Sequence, residues 1–156
     1  MRGDPKIIEV LNECLTAELT AINQYFVHAE MCANWGYKKL AKQDHTHARE
    51  EMKDAEAVIE RILYLEGIPN MQRYNPVRVG EEVVEQLQAD LALEAGAIER
   101  LNKAIVLCRE KGDNGTRELL EGILKGEEQH ADWLEAQLHI VQEVGKEAYL
   151  AEQIHE

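Results

Sequence analysis

Acidic residues replace apolar ones at matched points along four long segments of the chain. In each segment, leucine, isoleucine and valine recur at steps of three and four, the spacing of one face of an amphipathic helix. Near the middle of each face a carboxylate stands where the pattern calls for an apolar side chain, and in two segments an acid or a histidine follows three positions later. The residues concerned are Glu18, Glu51, Asp54, Glu94, Glu127 and His130.

The spacing of these residues repeats between the two halves of the chain. Glu18 and Glu51 are 33 positions apart, as are Glu94 and Glu127, and the second pair follows the first at an offset of 76. In two antiparallel helices, residues equidistant from the connecting turn lie at one level. We therefore expect all six side chains to meet in one layer of the core.

Five carboxylates and an imidazole in one core layer predict a metal site. An uncompensated buried charge costs several kcal/mol, so such groups must share protons or hold cations. Oxygen and imidazole ligands around two positions suit Fe(II) or Mn(II). A glutamate from each of two helices with a Glu-x-x-His pair on the others is the pattern of di-metal carboxylate bundles. The alternative, a solvated surface, is disfavoured because the register matches on four helices.

Long helices must position these side chains. Asp4 and Pro5 predict the N-cap and first residue of a helix, and glycines mark later boundaries. We predict helices at about 5–34, 38–66, 82–111 and 116–144, with a short one near 147–154. The fold class is therefore all-α, and the chain is expected to form a single domain over residues 1–156.

The connections predict the topology of the bundle. Short turns at Gly36 and at Gly112–Gly115 make one antiparallel hairpin of the first two helices and another of the last two. Residues 67–80 contain two prolines and could extend over roughly 46 Å, at about 3.3 Å per residue. A helix of about 27 residues spans roughly 40 Å. This crossover can therefore make the second and third helices parallel, as in ferritin-like four-helix bundles.

Composition narrows the function classes. The net charge of −13, from 30 acidic and 17 basic residues, disfavours nucleic acid as a partner. No apolar run has the length of a signal peptide or a membrane span, so we expect a cytoplasmic protein without a membrane partner. Cys14, Cys32 and Cys108 form no Cys-x-x-Cys pair, which excludes rubredoxin-type iron and zinc-ribbon sites and favours reduced thiols.

Several further segments resemble bacterioferritins, the haem-containing branch of the ferritin family. They are NQYF at 23–26, LEGIPN at 65–70, EEQHADWLE at 127–135 and YLAEQI at 149–154, and the resemblance covers the whole chain. It implies iron storage and detoxification by a ferroxidase that oxidises Fe(II) with O2 or H2O2. The ferric mineral would be stored in a hollow homo-oligomeric cage of 24 subunits, with a ferredoxin-type reductant as a possible partner for iron release.

The resemblance also implies a role for each acidic position. Glu18 and Glu94 would be terminal ligands of two iron ions per subunit, Glu51 and Glu127 bridging ligands, and His130 a ligand of one iron. Asp54 stands where the family has a second histidine, so this ligand departs from the pattern. Tyr25 either lies near the metals and donates electrons or is a packed core tyrosine.

Met52 cannot face the same core as its neighbours. At about 100° per residue it lies roughly 130° around the helix from the midpoint of Glu51 and Asp54. On physical grounds it would be a methionine packed at an interface. The resemblance implies instead that it binds haem b axially at a twofold interface, one haem per two subunits.

The remaining histidines and tryptophans carry weaker expectations. His47 could help to carry iron, but we expect it to be a solvated histidine. Trp35 and Trp133 are expected in the core or at an interface. No function is assigned to the other histidines, which are His28, His45, His139 and His155.

The sequence leaves two alternatives to a mineral-storing ferroxidase. The first is a haem-carrying cage subunit whose di-metal site is impaired by Asp54 and which assembles with a second bacterioferritin subunit. The second is a DNA-coating mini-ferritin, which is disfavoured by the acidic charge and by a ligand set complete within one chain.

Overall fold

The computed structural model describes residues 1–155; the predicted domain extends to residue 156, which lies outside this range. The helices are α1 (Pro5–Trp35), α2 (Lys38–Tyr64), α3 (Val83–Glu110), α4 (Asn114–Val144) and α5 (Lys146–Ala151). The all-α class, the four long helices and the short fifth helix are thus confirmed. Helix α1 begins as predicted, because the Asp4 side chain accepts a hydrogen bond of 2.8 Å from Lys6 N.

The turn between α3 and α4 is shorter than predicted. Helix α4 begins at Asn114, so Gly115 lies in its first turn and not in the connection. The chain reverses at Gly112, whose φ of 72° favours glycine. A Cβ at Gly115 would lie 2.6 Å from Arg61 Nη2, so the Arg61 side chain would have to shift. That guanidinium forms an ion pair of 3.0 Å with Asp113, the N-cap of α4.

The ends of the crossover establish that α2 and α3 are parallel, as predicted. Gly3 N donates to Leu65 O at 2.9 Å, so α2 ends beside the start of α1. Gly80 N donates to His28 Nε2 at 3.0 Å, so α3 begins beside the end of α1. Since α2 also begins near that end of α1, α2 and α3 run in the same direction.

A row of polar side chains on α1 holds the crossover along its whole length. The row recurs at every fourth residue and comprises Asn12, Thr16, Thr20, Gln24 and His28. Each member bonds to the crossover, through Asn70 N, Arg73 Nε, Asn75 N, Arg78 N and Gly80 N respectively. The row therefore ties the crossover to α1 as far as Gly80, just before the start of α3.

Two apolar clusters fill the ends of the bundle. One includes Leu11, Leu15, Ile62, Leu101 and Leu120, and the other includes Leu40, Leu87, Leu134 and Tyr149 of α5. The predicted polar layer lies between these clusters. Within residues 1–155, no helix combines the length and apolarity needed to cross a membrane.

Candidate metal centre

The four long helices bring all six predicted residues together. Helix α1 supplies Glu18, α2 supplies Glu51 and Asp54, α3 supplies Glu94, and α4 supplies Glu127 and His130. Their donor atoms form two overlapping groups, within each of which they lie at most 4.8 Å apart. The first group is Glu51, Glu94, Glu127 and His130, and the second is Glu18, Glu51, Asp54 and Glu127. We call these groups the His130 position and the Asp54 position; they share Glu51 and Glu127.

Burial without hydrogen bonds marks this layer as a ligand site. The four glutamates are almost fully buried, with no more than 3% of each exposed. The buried atoms of this layer that have no hydrogen-bond partner among residues 1–155 are Glu18 Oε2, both carboxylate oxygens of Glu51, Glu94 Oε2, Glu127 Oε1 and His130 Nδ1. Each such atom costs about 1–3 kcal/mol unless it finds a partner. The donor set, carboxylate oxygens with one imidazole, fits two Fe(II) or Mn(II) ions.

Mutual contacts divide the protons among these groups. Burial, followed by the charge of Glu51, raises the pKa of Glu18 well above its ordinary value. Burial and a contact with Glu94 likewise raise the pKa of Glu127. Burial would raise the pKa of Glu51 too, but contacts with Glu18, His130 and Glu127 lower it. In the metal-free cluster these shifts favour protons on Glu18 and Glu127 and a negative charge on Glu51, and a cation would displace such protons.

Glu50 orients His130 and was missed from the sequence. His130 Nε2 donates to Glu50 Oε2 at 2.5 Å, which leaves Nδ1 3.2 Å from Glu51 Oε1 and 3.4 Å from Glu94 Oε1. Burial would lower the pKa of His130, but its contacts with Glu51, Glu94 and Glu50 raise it to about 11. A carboxylate behind a histidine is the usual way to aim that histidine at a metal. Glu50 escaped notice because it lies one residue off the buried face of α2.

Tyr25 is a packed core tyrosine that also lies beside the cluster. Its ring is fully buried in the core, and its hydroxyl donates to Glu94 Oε1 at 2.6 Å. Burial, and then the charge of Glu94, raise the pKa of the phenol well above 10.0. Tyr25 is therefore a neutral hydrogen-bond donor to a member of the cluster.

The prediction that His47 is solvated was wrong. The residue is 2% exposed because it lies one turn before Glu51 on the same face of α2. Its ring centroid is 4.2 Å from that of His130, 5.0 Å from Tyr25 and 5.3 Å from the half-buried Trp133. Burial lowers the pKa of His47 to about 3, so the ring is neutral, and its Nε2 accepts from Gln43 Nε2 at 3.0 Å.

Asp54 and Met52 lie where the geometry of α2 predicts. The Asp54 carboxylate reaches the cluster but is only half buried. Burial, followed by the charge of Glu51, raises its pKa to about 7. Met52 is 55% exposed and faces away from the core of its own bundle.

A second buried polar network lies one turn away and is fully bonded. His28 Nδ1 and Gln24 Nε2 both donate to Asp90 Oδ1 at 2.9 Å, while His28 Nε2 accepts from Gly80. Gln86 donates to Gly80 O and accepts from the Cys32 thiol. None of these side chains leaves a buried polar atom unpaired. His28, to which no function is assigned from the sequence, thus belongs to a structural network.

Comparison with known proteins identifies relatives over almost the whole chain. The family model described as Ferritin-like domain matches residues 8–144. A bacterioferritin of Mycolicibacterium paratuberculosis is 49% identical over 152 residues, which cover 97% of this chain and 96% of the relative. A bacterioferritin of Streptomyces coelicolor is 48% identical over 151 residues, with 97% and 90% covered, and one of Brucella melitensis is 41% identical over 149 residues, with 96% and 92% covered.

Proposed function

The chain belongs to the bacterioferritin branch of the ferritin family, and we propose that it is a ferroxidase that stores iron. Fe(II) would be oxidised to Fe(III) at the six-residue cluster by O2 or H2O2, and the product kept as a ferric mineral inside a shell of 24 subunits. The observation that carries this proposal is the layer of buried donor atoms without partners. The redox reaction is inferred from family membership, and the ligand set suits the iron ions that would carry it out.

Each residue of the cluster has a part in handling two Fe(II) ions. Glu94 and His130 would bind one ion, Glu18 and Asp54 the other, and Glu51 and Glu127 both. Two Fe(II) ions together supply the two electrons that reduce O2 to H2O2, or H2O2 to two waters. Either reduction also consumes two protons, which water would supply, since any protons on Glu18 and Glu127 are displaced when the cations bind. Tyr25 donates a hydrogen bond to Glu94 through its hydroxyl, and in this proposal it would also donate an electron.

The His130 position and the Asp54 position should differ in charge and in the reach of one ligand. Four glutamates balance two Fe(II) ions, and an ionised Asp54 adds one negative charge. Aspartate is a competent ligand for Fe(II), but its stem is one methylene shorter than that of glutamate. We therefore expect the His130 position to fill more readily than the Asp54 position. The extra negative charge also favours Fe(III) over Fe(II).

Zinc blocking tests the proposed activity. Zn(II) binds carboxylate and imidazole ligands but has no redox chemistry, so it competes for the cluster without replacing iron in the reaction. Two equivalents of Zn(II) per chain, added anaerobically, should abolish the rapid oxidation of Fe(II) on exposure to O2 or H2O2. Mg(II), a poor competitor for such ligands, is added to a parallel sample as the control. Fe(II) oxidation that proceeds at the same rate in both samples would exclude the cluster as the ferroxidase site.

Met52 is the proposed axial ligand of haem b, with one haem shared by two subunits. Its support is its exposure outside the bundle together with family membership. Met52→Leu should abolish the haem absorption bands and leave the assembly intact. Met71→Leu is the matched control, since Met71 is also exposed, and it should retain haem. Haem bound equally by both variants would rule out this assignment.

The shell is proposed from family membership and from the apolar side chains left exposed on one chain. Phe26, Met52, Ile68 and Tyr74 each expose about half of their surface or more, as expected for surfaces that bury against other copies. Sedimentation should show one large closed species. Monomers or dimers alone would contradict the shell. A ferredoxin-type reductant for iron release is part of the same proposal.

A haem-carrying subunit with an impaired di-metal site is the second candidate function. The observation in its favour is that Asp54 is half exposed and has a pKa of about 7, so its ligand charge is incomplete near neutrality. In that case the unmodified protein would bind only one Fe(II) per chain and would need a second kind of subunit for rapid oxidation.

A further inference from the structure

Two openings of opposite charge lead to the cluster. The first, which we call the basic cavity, has a volume of about 240 Å³ and lies between α1, α3 and the crossover. The buried carboxylates Glu18, Glu51 and Glu127 line its inner end. Arg78 and Arg100, which are more exposed, line its outer end. A molecule entering from this side would pass two arginines before it reached the ligands.

The two arginines of the basic cavity are unneutralised. Among residues 1–155, neither Arg78 nor Arg100 forms an ion pair, although the whole chain carries a net charge of −13. The other residues of the wall are uncharged and mostly small, and include Gly96, Gln24 and Asn75. The outer end of this cavity therefore has a positive potential, which repels cations and leaves uncharged molecules unaffected.

The second opening, which we call the acidic groove, lies between α2 and α4. Its charged lining residues are Asp54 and Glu118, and its other walls include Gly115 and Gly122. The Asp54 carboxylate belongs to the groove and to the cluster at once. A cation in the groove therefore meets a ligand of the metal centre directly.

We propose that divalent cations reach the cluster through the acidic groove, with Asp54 as the first ligand they meet. The basic cavity rejects cations and admits the uncharged oxidant. This inference rests on the proposed ferroxidase function and adds the direction from which each substrate arrives. It also suggests what the departure at position 54 does, because a half-exposed carboxylate attracts Fe(II) over a distance by its charge, whereas a neutral imidazole binds Fe(II) only on contact. Charged clefts of this kind change association rates by about 10- to 1,000-fold at low salt.

Three glycines within helices allow the two routes to be blocked separately. Gly96 of α3 lines the basic cavity, Gly122 of α4 lines the acidic groove, and Gly126 of α4 lines neither. An added Cβ would meet nothing within 4 Å at any of the three positions. Leucine also has a higher helix propensity than glycine, so each Gly→Leu variant should fold.

Two measurements distinguish the routes. The first is the rate at which Co(II) binds to the metal-free protein, followed by its visible absorption in stopped flow without any redox step. The second is the rate of oxidation by H2O2 after anaerobic loading with Fe(II). Gly122→Leu should slow Co(II) binding severalfold and leave oxidation unchanged. Gly96→Leu should slow oxidation by H2O2 and leave Co(II) binding unchanged. Gly126→Leu should change neither rate.

Removal of the arginine charges tests the electrostatic part. Arg78→Gln with Arg100→Gln should accelerate Co(II) binding, by about threefold or more at low salt, and the gain should fade above about 0.1 M salt. The control pair Arg49→Gln with Arg109→Gln removes the same charge from exposed positions that line neither opening.

The inference is overturned if Gly122→Leu binds Co(II) as fast as Gly126→Leu, if Gly96→Leu slows Co(II) binding, or if the two arginine pairs behave alike. Failure of the proposed function would look different. In that case even the unmodified protein would bind no Co(II) at the cluster, and the inference would fall with it.

Discussion

Asp90 and Glu94 lie one helical turn apart on α3, and their exposed fractions are 1% and 0%. Their surroundings nevertheless differ. Asp90 accepts hydrogen bonds from His28 and Gln24, and the network around it leaves no buried polar atom unpaired. Glu94 accepts one hydrogen bond, from Tyr25, and its second oxygen has no partner among the described residues.

The difference separates a structural polar cluster from a binding one. Hydrogen bonds compensate the cost of burying the Asp90 carboxylate. Through His28, the same network holds the end of the crossover at Gly80. Around Glu94 the cost of burial is not fully compensated, because potential metal-ligand atoms from four helices converge without hydrogen bonds. The Asp90 and Glu94 carboxylates are almost equally buried, and they differ in whether their surroundings satisfy their hydrogen bonds. Breaking each cluster should therefore have opposite consequences for metal binding and for stability.

The largest effect is expected from Glu127→Gln. Glu127 is neutral in the metal-free protein because burial and Glu94 raise its pKa, so a glutamine amide resembles it closely. The unfolding free energy of the metal-free protein should change by less than about 1 kcal/mol. Affinity for Co(II) should fall by more than about 100-fold, because both positions lose a shared ligand. The control is Glu128→Gln at an exposed site, and a Glu127→Gln variant that binds Co(II) normally would remove the cluster from consideration.

Asp90→Ala should give the converse result. It leaves the buried donors His28 Nδ1 and Gln24 Nε2 unpaired, which costs about 3 kcal/mol in unfolding free energy. Denaturant unfolding measures this loss, and Asp132→Ala at an exposed site is the control. Co(II) affinity should stay within about threefold of the unmodified value, because no ligand is touched. If affinity fell as far as in Glu127→Gln, the two clusters would not be separable.

Asp54→His makes the two positions of the metal centre alike. The imidazole reaches further than the aspartate stem, so equilibrium metal occupancy should rise, by about tenfold in affinity for the second ion. The initial rate of Fe(II) oxidation should also rise, because reduction of O2 by two electrons requires both ions. Anaerobic loading before the oxidant is added separates this effect from the route by which the ions arrive. A variant with no added metal and no faster oxidation would show that Asp54 is already a full ligand.

The smallest effect concerns the pH dependence of stability in the metal-free protein. Burial, and then Glu51, raise the pKa of Asp54 from 3.8 to about 7. Between these values the folded chain keeps a proton that the unfolded chain has lost, so raising the pH favours unfolding. Stability should fall between about pH 4 and pH 7, and Asp54→Asn should reduce that slope. Thermal melts of both proteins across this range would measure the difference, and equal slopes would contradict the raised pKa.

The fold and the cluster were predictable for the same reason. The apolar period identifies the inward face of each helix, and the repeated spacing of 33 residues places Glu18 beside Glu51 and Glu94 beside Glu127. The length of residues 67–80 is then sufficient for a crossover along the bundle. The apolar faces and the repeated spacing follow from regular helix geometry, in which the position of one residue gives the positions of its neighbours.

The parts that escaped prediction depend on irregular backbone or on positions beside the inward face. Asn12, Thr16, Thr20, Gln24 and His28 recur at every fourth residue, but their partners lie in the crossover, whose path has no period. Glu50 acts from the margin of α2, where an exposed acid is ordinarily unremarkable. His47 was misjudged because a histidine was assumed to prefer solvent, although its position on α2 repeats that of Glu51 one turn earlier.

Anomalous diffraction at the iron edge tests the central claim most directly, namely that the unpaired cluster and not the bonded one holds metal. Crystals loaded anaerobically with Fe(II) should show two peaks per chain that share Glu51 and Glu127. The stronger peak should lie beside Glu94 and His130, and the weaker beside Glu18 and Asp54, with none at Asp90. A cluster without anomalous density at saturating Fe(II), or iron bound at the Asp90 network, would contradict this account.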